Sequence, residues 1–397
     1  MSLADQIAAA APEPKDAPKP SMSYGTDGGE LVGKIPDGVE TDPAFWRLVI
    51  ADWGLDPDLT EIVPDSVQIR AWDMATGKGQ TIRARYYKAR IRPRRAAMSA
   101  QDVTDLHQLV MRRRTRTTSS AVKEQGAGFV VNLSDFQIGK GEGGGTPATV
   151  ARILTAIDQA TLRLKELRRC KRNIGSVYII GCGDLAEQCW GHYPAQQFTV
   201  DRTRREQLQI VRELITYCID AFVDLVPRVV VGAVPGNHGE NRLNGKSATT
   251  VADNDDLAVF DQVREAMLHN PARYGHVEWA ISDDLVLTLD VEGVTVGWTH
   301  MHQGRGGERG ITDWWKGQVM GNRPIATAQI LNTAHFHHFL CSEATGRTLI
   351  QVPAMDGGSG WWTDKTGQSS PAGMVTYLAG SVCGARGWSD LQILEGQ

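Results

Sequence analysis

The chain has 397 residues, 41% hydrophobic and 22% charged, with a net charge of −4. That mix excludes wholesale disorder, and with no apolar run near the about eighteen residues of a membrane span, a transmembrane helix is excluded too. The small negative charge gives no global pull toward nucleic acid. Met1-Ser-Leu-Ala-Asp5 lacks the basic-then-apolar layout of a secretory signal, so a cytoplasmic protein with no membrane partner is expected. The six cysteines form no Cys-x-x-Cys pair and lie mostly in apolar or helical stretches, which predicts buried free thiols.

A chain of this length predicts one large domain and a smaller N-terminal unit. Residues 1–36 are rich in Ala, Pro, Lys, Asp and Gly, with almost no bulky apolar residue, and read as a flexible arm. Residues 37–95 read as a small α+β module. Its helix runs from Phe45 to a closing Gly54, and its β-hairpin pairs Ser66–Trp72 with Gln80–Ile91 around Thr76-Gly-Lys-Gly79. The second hairpin strand is strongly basic (Arg83, Arg85, Lys88, Arg90, Arg92), and residues 96–126 read as a basic linker carrying Arg112, Arg113, Arg114 and Arg116. Either a phosphate-rich partner such as nucleic acid or a solvated strand face accounts for this charge.

From 127 to 397 strands and helices alternate, the pattern of an α/β domain. Phe129–Leu133 is a short buried strand ending at Ser134-Asp135. A glycine-rich loop follows (Lys140–Gly145), which reads as a mobile loop or a plain connector. Thr146-Pro147 is the expected N-cap and N1 proline of a helix carrying Val150, Ile153, Leu154, Ile157, Leu164 and Leu167. Ser176–Gly181 is a second strand, ending at Gly183-Asp184. A helix over about Asp201–Leu225 leads to a third strand, Arg228–Val234, ending at Gly236-Asn237-His238. Later strands end at His300 and at His335-Phe-His337, where His335 and His337 alternate and are expected on one strand face, with His338 outward. The pairs Trp314-Trp315 and Trp361-Trp362 read either as core or as base-stacking platforms.

Five strands thus stop at a residue able to bind a metal, and in open α/β sheets that edge is where ligands bind. Carboxylate, amide oxygen and imidazole together suit Mn, Fe or Zn better than the all-oxygen shells of Mg or Ca. Seven candidates, Asp135, Gln137, Asp184, Asn237, His300, His335 and His337, are too many for one tetrahedral ion. Two divalent ions about 3.5–4 Å apart, bridged by Asp184, would use them all and would clamp both oxygens of a phosphoryl displacement. His302 competes with His300, which is preferred because it adjoins the strand end.

In order, Ser134-Asp135-Phe136-Gln137, Gly183-Asp184, Gly236-Asn237-His238-Gly239-Glu240, His300 and His335-Phe336-His337 resemble the five blocks of the calcineurin-like metallophosphoesterases, over about residues 128–352. The overall layout is similar to phage-type members and to the SbcD-like exonuclease branch. The resemblance implies a four-layer α/β/β/α sandwich and phosphodiester hydrolysis with two divalent ions, Mn foremost, in a nucleic acid substrate. It assigns Asp135, Gln137 and His337 to one ion, Asn237, His300 and His335 to the other, with Asp184 between, and makes His238 the catalytic residue that stabilises the transition state or protonates the leaving oxygen. The chain departs from the pattern at Gln137, where the family carries histidine, and at Ala334, where it carries glycine. A weaker or harder first metal site is the expected consequence. Two other readings stand beside this one: a small-nucleotide or phosphomonoester hydrolase, and a degenerate scaffold or DNA-binding subunit.

Overall fold

The computed structural model describes residues 19–25, 28–75, 81–94, 100–112, 126–193, 195–243, 245–358, 360, 363–364, 367 and 369–396. The expected hairpin turn at 76–79, residues 1–18, Arg95, Arg113, Arg114, Arg116 and Trp361-Trp362 lie outside them. The chain forms two units, Met1–Ala96 with Cys189–Asp201, and Ala97–Gln188 with Arg202–Gln397.

The first unit holds strands β1 (Ser21–Gly25), β2 (Gly28–Lys34), β3 (Thr60–Ile62), β4 (Gln68–Ala75) and β5 (Thr81–Pro93), with helix α1 (Pro43–Asp52). The sheet order is β1-β2-β5-β3, and β4 also pairs with β5. Ser21–Gly25 and Gly28–Lys34 therefore pair antiparallel where the composition pointed to an unstructured arm. The reason lies in distant partners: Leu31 and Ile35 are buried among Phe45, Trp46, Val49, Ile50, Tyr87 and Ile91, with Met22 packed against the same cluster. Helix α1 starts on Asp42, whose side chain accepts from Ala44 N at 2.9 Å, with Pro43 in the first turn. The basic strand β5 is met by acids of its own unit. Arg85 pairs with Asp37 and Glu40, Lys88 Nζ lies 2.9 Å from Glu30, and Arg92 Nε lies 2.6 Å from Glu61.

The second unit is mixed α/β. Helix α2 (Ala100–Arg112) falls inside the expected linker, because Leu106, Leu109 and Val110 recur at helical spacing and pack on the main core. Then follow β6 (Ala127–Leu133), α3 (Gly145–Arg169), β7 (Ile174–Gly181), α4 (Arg204–Phe222), β8 (Arg228–Ala233), the short ribbon β9 (Arg242–Leu243) and β10 (Lys246–Ser247), α5 (Asp255–Leu268), α6 (Pro271–Tyr274) and β11 (Val277–Ile281). The remainder is β12 (Val286–Val291), β13 (Val294–Thr299), α7 (Gly307–Met320), β14 (Ile330–Thr333), β15 (Leu340–Ala344), β16 (Arg347–Gln351), β17 (Met374–Ala379) and β18 (Trp388–Leu394). Helix α3 starts one residue before the expected cap. Gly144, in the left-handed region at φ 88°, is its N-cap, and Thr146 Oγ1 instead accepts from Gly139 N at 3.0 Å, fastening the preceding loop.

A six-stranded sheet runs β11-β8-β7-β6-β17-β18 and a five-stranded sheet runs β12-β13-β14-β16-β15. Helices α3 to α5 cover one face of the first sheet through Ile153, Ile157, Leu164, Ile210, Leu214, Phe222 and Phe260. Its other face, with Val130, Tyr178, Ile180 and Val230, shares a core with Val294, Val296, Trp298, Ile330 and Ile350 of the second sheet. Trp315 of α7 packs on Leu331 and Leu349 across the far face of that second sheet, with the Arg347 guanidinium 5.4 Å from its ring. Trp315 is thus a core residue rather than an exposed platform. Among the described residues, no helix is long and apolar enough to cross a membrane.

Candidate metal centre

Strands β6, β7 and β8 are parallel and in register, Leu133 beside Gly181 and Gly181 beside Ala233, so their C-terminal loops leave the sheet level with one another. Strands β13 and β14 are likewise parallel. The loops are stitched together by main-chain bonds: Asp135 N donates to Gly183 O (3.1 Å), Gln137 N to Asp184 O (3.0 Å), and Met355 N to Asp135 O (3.1 Å). Two glycines permit this closeness. A Cβ on Gly236 would collide with the main chain and carboxylate of Asp184, and one on Gly183 would lie 2.7 Å from Gly236 N and 2.8 Å from His300 Nδ1.

Asp135 (φ 45°), Gln137 (44°), Asp184 (54°), His335 (72°) and His337 (59°) all adopt the left-handed backbone region that non-glycine residues avoid. Each such residue costs about 1–3 kcal/mol, and strain concentrated in this way is the mark of a site imposed by its surroundings. It also corrects the expected geometry of the last block. Strand β14 ends at Thr333, so His335 and His337 sit on a coiled loop, not on one strand face. His338 is exposed, as expected.

Four of the predicted residues converge. One oxygen or nitrogen of Asp184, His300 and His335 each lies within 4.8 Å of the others, and His300 Nε2 is 2.8 Å from Asp184 Oδ2 and 3.2 Å from Asn237 Oδ1. His300 Nδ1 lies 2.8 Å from Cys182 O, which can only accept, so the proton of a neutral His300 resides on Nδ1. The lone pair of Nε2 then faces two oxygens, an arrangement that requires a cation or a proton between them. The buried Asp184 Oδ2 and Asp135 Oδ1 have no main-chain or hydroxyl donor and face the ring nitrogens of His300 (2.8 Å) and His337 (3.3 Å). This donor set therefore fits a divalent ion held by Asp184, Asn237, His300 and His335.

Without an ion the groups compensate one another. Burial pushes the His300 imidazole down, but the Asp184 carboxylate overrides it and lifts it to about 9. Burial and the neighbouring His300 charge push His335 down to about 4, so His335 is neutral at physiological pH. Burial raises Asp184, yet His300 and His238 hold it well below the usual carboxylate range.

The remaining predicted ligands form a second group. His337 Nε2 is 3.3 Å from Asp135 Oδ1, and His337 Nδ1 is 3.6 Å from Asp356 Oδ2. Gln137 is buried, but its Oε1 accepts from Lys140 Nζ at 3.2 Å, and Lys140 in turn pairs with the buried Asp356. His238 lies beside both groups. Its main-chain N donates to Asp184 Oδ1 (2.7 Å), and its Nδ1 sits 2.9 Å from Glu187 O and 3.3 Å from Glu187 Oε2. Burial lowers the His238 imidazole, but Glu187 and Asp184 outweigh that and raise it. His302 turns away to Glu240, 3.5 Å from its Nε2, with its ring 5.5 Å from that of His300.

No family model matches the chain, and no curated protein matches it in sequence. Solved structures align with it at low similarity. An archaeal phosphodiesterase is 12% identical, aligned over 67% of this chain and 99% of its own, with a TM-score of 0.30. A predicted phosphoesterase from Streptococcus pneumoniae is 10% identical over 70% and 92%, at 0.27, and Vacuolar Protein Sorting 29 from Cryptosporidium parvum is 12% identical over 68% and 98%, at 0.29. At such scores the likeness carries no argument about activity, which rests on the residues themselves.

Four functional residues were not evident in the sequence. Asp256, buried at the start of α5, accepts from Asp184 N and Gly236 N on Oδ2 and from Leu185 N on Oδ1, each at 2.9 Å, and so ties two ligand loops together. Burial and the Asp184 charge lift it to about 6. In the sequence it sits in Asp253-Asn-Asp-Asp256, indistinguishable from ordinary helix-capping acids. Glu187, three residues beyond Asp184, and the pair Lys140 and Asp356, 216 residues apart, meet only through the fold.

Proposed function

We propose that the second unit is a divalent-metal-dependent phosphoesterase that hydrolyses phosphodiester bonds, with a two-ion site on the seven predicted ligands. The observation that carries this reading is the convergence of Asp184 Oδ2, Asn237 Oδ1 and His300 Nε2 on one point, where a bound cation would take the place of the His300 proton. The order helix, sheet, sheet, helix in the packing supports the four-layer sandwich of the metallophosphoesterases. Divalent ions bound there supply Lewis-acid polarisation of a phosphoryl oxygen and offset the charge that builds in the transition state. The chain's own residues do the rest. Asp184, with its Oδ1 held by His238 N, stays ionised and fixed between the two ligand groups. Glu187 holds His238 through Nδ1 and favours its protonated form, so His238 acts as the general acid, giving a proton from Nε2 to the leaving oxygen.

The substrate class supported is the phosphodiester itself. Arg85, Lys88 and Arg92 are satisfied by acids of their own unit, so a polynucleotide is a narrower proposal, tested separately with labelled DNA and Mn. Mn-loaded protein should hydrolyse bis-p-nitrophenyl phosphate, and His238→Ala should lower kcat by about 100-fold or more. Undiminished turnover in that variant would refute the role given to His238.

A further inference from the structure

Lys140 brings a cation to the group formed by Asp135, Gln137 and His337. Its Nζ lies 3.2 Å from Gln137 Oε1, the one oxygen through which Gln137 can bind a metal. Asp356, 3% exposed in its side chain, pairs with the same ammonium and lies 3.6 Å from His337 Nδ1. Lys140 itself is 13% exposed, so water does not screen its charge well. The loop that delivers it is pinned: a Cβ on Gly143 would collide with the main chain of Gly357, next to Asp356, so the two loops are locked backbone to backbone. An ammonium and a divalent ion cannot both use Gln137 Oε1, and a fixed positive charge beside Gln137 and His337 opposes a second one. Among the described residues, no lysine or arginine is ion-paired or hydrogen-bonded to Asp184, Asn237, His300 or His335.

Resting on the metal-centre reading above, we infer that Lys140 makes the two metal positions unequal: the chain binds one ion tightly on Asp184, Asn237, His300 and His335, while the Lys140 ammonium occupies Gln137 and holds off the second. The position on Asp135, Gln137 and His337 is then filled only at higher metal concentration, and the Lys140 charge stands in for that ion until it is.

Titrating metal-stripped full-length protein with Mn, followed by calorimetry and by electron paramagnetic resonance, tests this without reference to turnover. Wild type should take one tight equivalent with an uncoupled Mn spectrum, and a second equivalent at least tenfold weaker. Lys140→Met should tighten the second equivalent at least tenfold and give the spin-coupled spectrum of a close pair, whereas Lys140→Arg, which keeps the charge, should behave as wild type. Because Lys140→Met takes the ammonium from the buried Asp356, the double variant Lys140→Met with Asp356→Asn guards against misfolding and should move the second equivalent in the same direction. Two equally tight equivalents in wild type, or a second equivalent unmoved in a folded Lys140→Met or double variant, would overturn the inference while leaving the metal centre standing. No Mn bound by wild type at all would instead overturn the metal-centre reading and this inference with it.

Discussion

Replacing Gly236 by alanine is the sharpest test of how the ligand loops are built. The added Cβ would lie 2.9 Å from Asp184 Cγ and inside contact distance of Asp184 N and Oδ1. Carbon atoms pack at about 3.5–4 Å, so the two loops must part by about 1 Å. Main chain cannot swing aside as a side-chain tip can, and that movement stretches the 2.9 Å bonds from Asp184 N and Gly236 N to Asp256. Overpacking of this kind costs about 1–3 kcal/mol. The larger effect falls on geometry, because Asn237 follows Gly236 and moves with it away from Asp184. A displacement of about 1 Å in a positioned group costs about 100-fold in activity. The assay is Mn affinity by calorimetry, with circular dichroism as a check on folding. Gly236→Ala should fold yet bind the tight ion at least tenfold more weakly. Gly317→Ala, where a Cβ meets nothing within 4 Å on helix α7, should be neutral or slightly stabilising. If Gly236→Ala binds Mn as tightly as wild type, the close approach of the two loops is not what sets the ligands.

Three further outcomes follow from the buried charges. Asp256→Asn must present its NH2 group to at least one of the three amides now accepted by the carboxylate, and an unpaired buried amide costs about 1–3 kcal/mol, so hydrogen exchange at residues 184, 185 and 236 should speed up about tenfold or more. Unchanged protection would remove Asp256 from its linking role. Metal uptake should release about one proton per tight ion at pH 7, taken from His300 near 9 and none from His335 near 4, measured by calorimetry in buffers of different ionisation enthalpy. The same shift acts on stability: with the folded His300 value raised above 6.5, its contribution to the metal-free protein is full below about pH 6.5 and is lost as pH rises through about 9. Absence of proton release would contradict the His300 assignment. Glu187→Gln removes the carboxylate that raises His238, so the alkaline limb of the pH–rate profile should move to lower pH; a limb that stays in place would exclude Glu187 from tuning the acid.

The strand ends at Asp135, Asp184, Asn237, His300 and His335 were readable because a short apolar run followed by a polar residue is a local pattern, and parallel pairing then brings such ends to one edge. The hairpin of β4 and β5 was readable for the same reason, from alternation around a glycine turn. What escaped depends on partners distant in the chain or on backbone angles that composition does not reveal. The β1–β2 pair is anchored by a few bulky residues, Leu31 and Ile35 with Met22, and a count of apolar residues passes over it. The left-handed conformation of His335 and His337 is imposed by neighbouring loops, so period-two spacing mistook a coil for a strand. Thr146 resembled a helix cap because its hydroxyl can serve any nearby amide, and it serves Gly139 instead. Gln137 was recognisable as the irregular position, but the Lys140 ammonium on its oxygen needed the fold.

The central claim is that Asp184, Asn237, His300 and His335 hold a divalent ion on which phosphodiester hydrolysis depends. Its most direct test is turnover of bis-p-nitrophenyl phosphate by chelator-stripped protein, before and after Mn is restored, in wild type and in Asn237→Ala. The account predicts no activity when stripped, activity with Mn in wild type, and a loss of at least about 100-fold in the variant. Activity that persists in the stripped protein, or equal activity in Asn237→Ala, would contradict it.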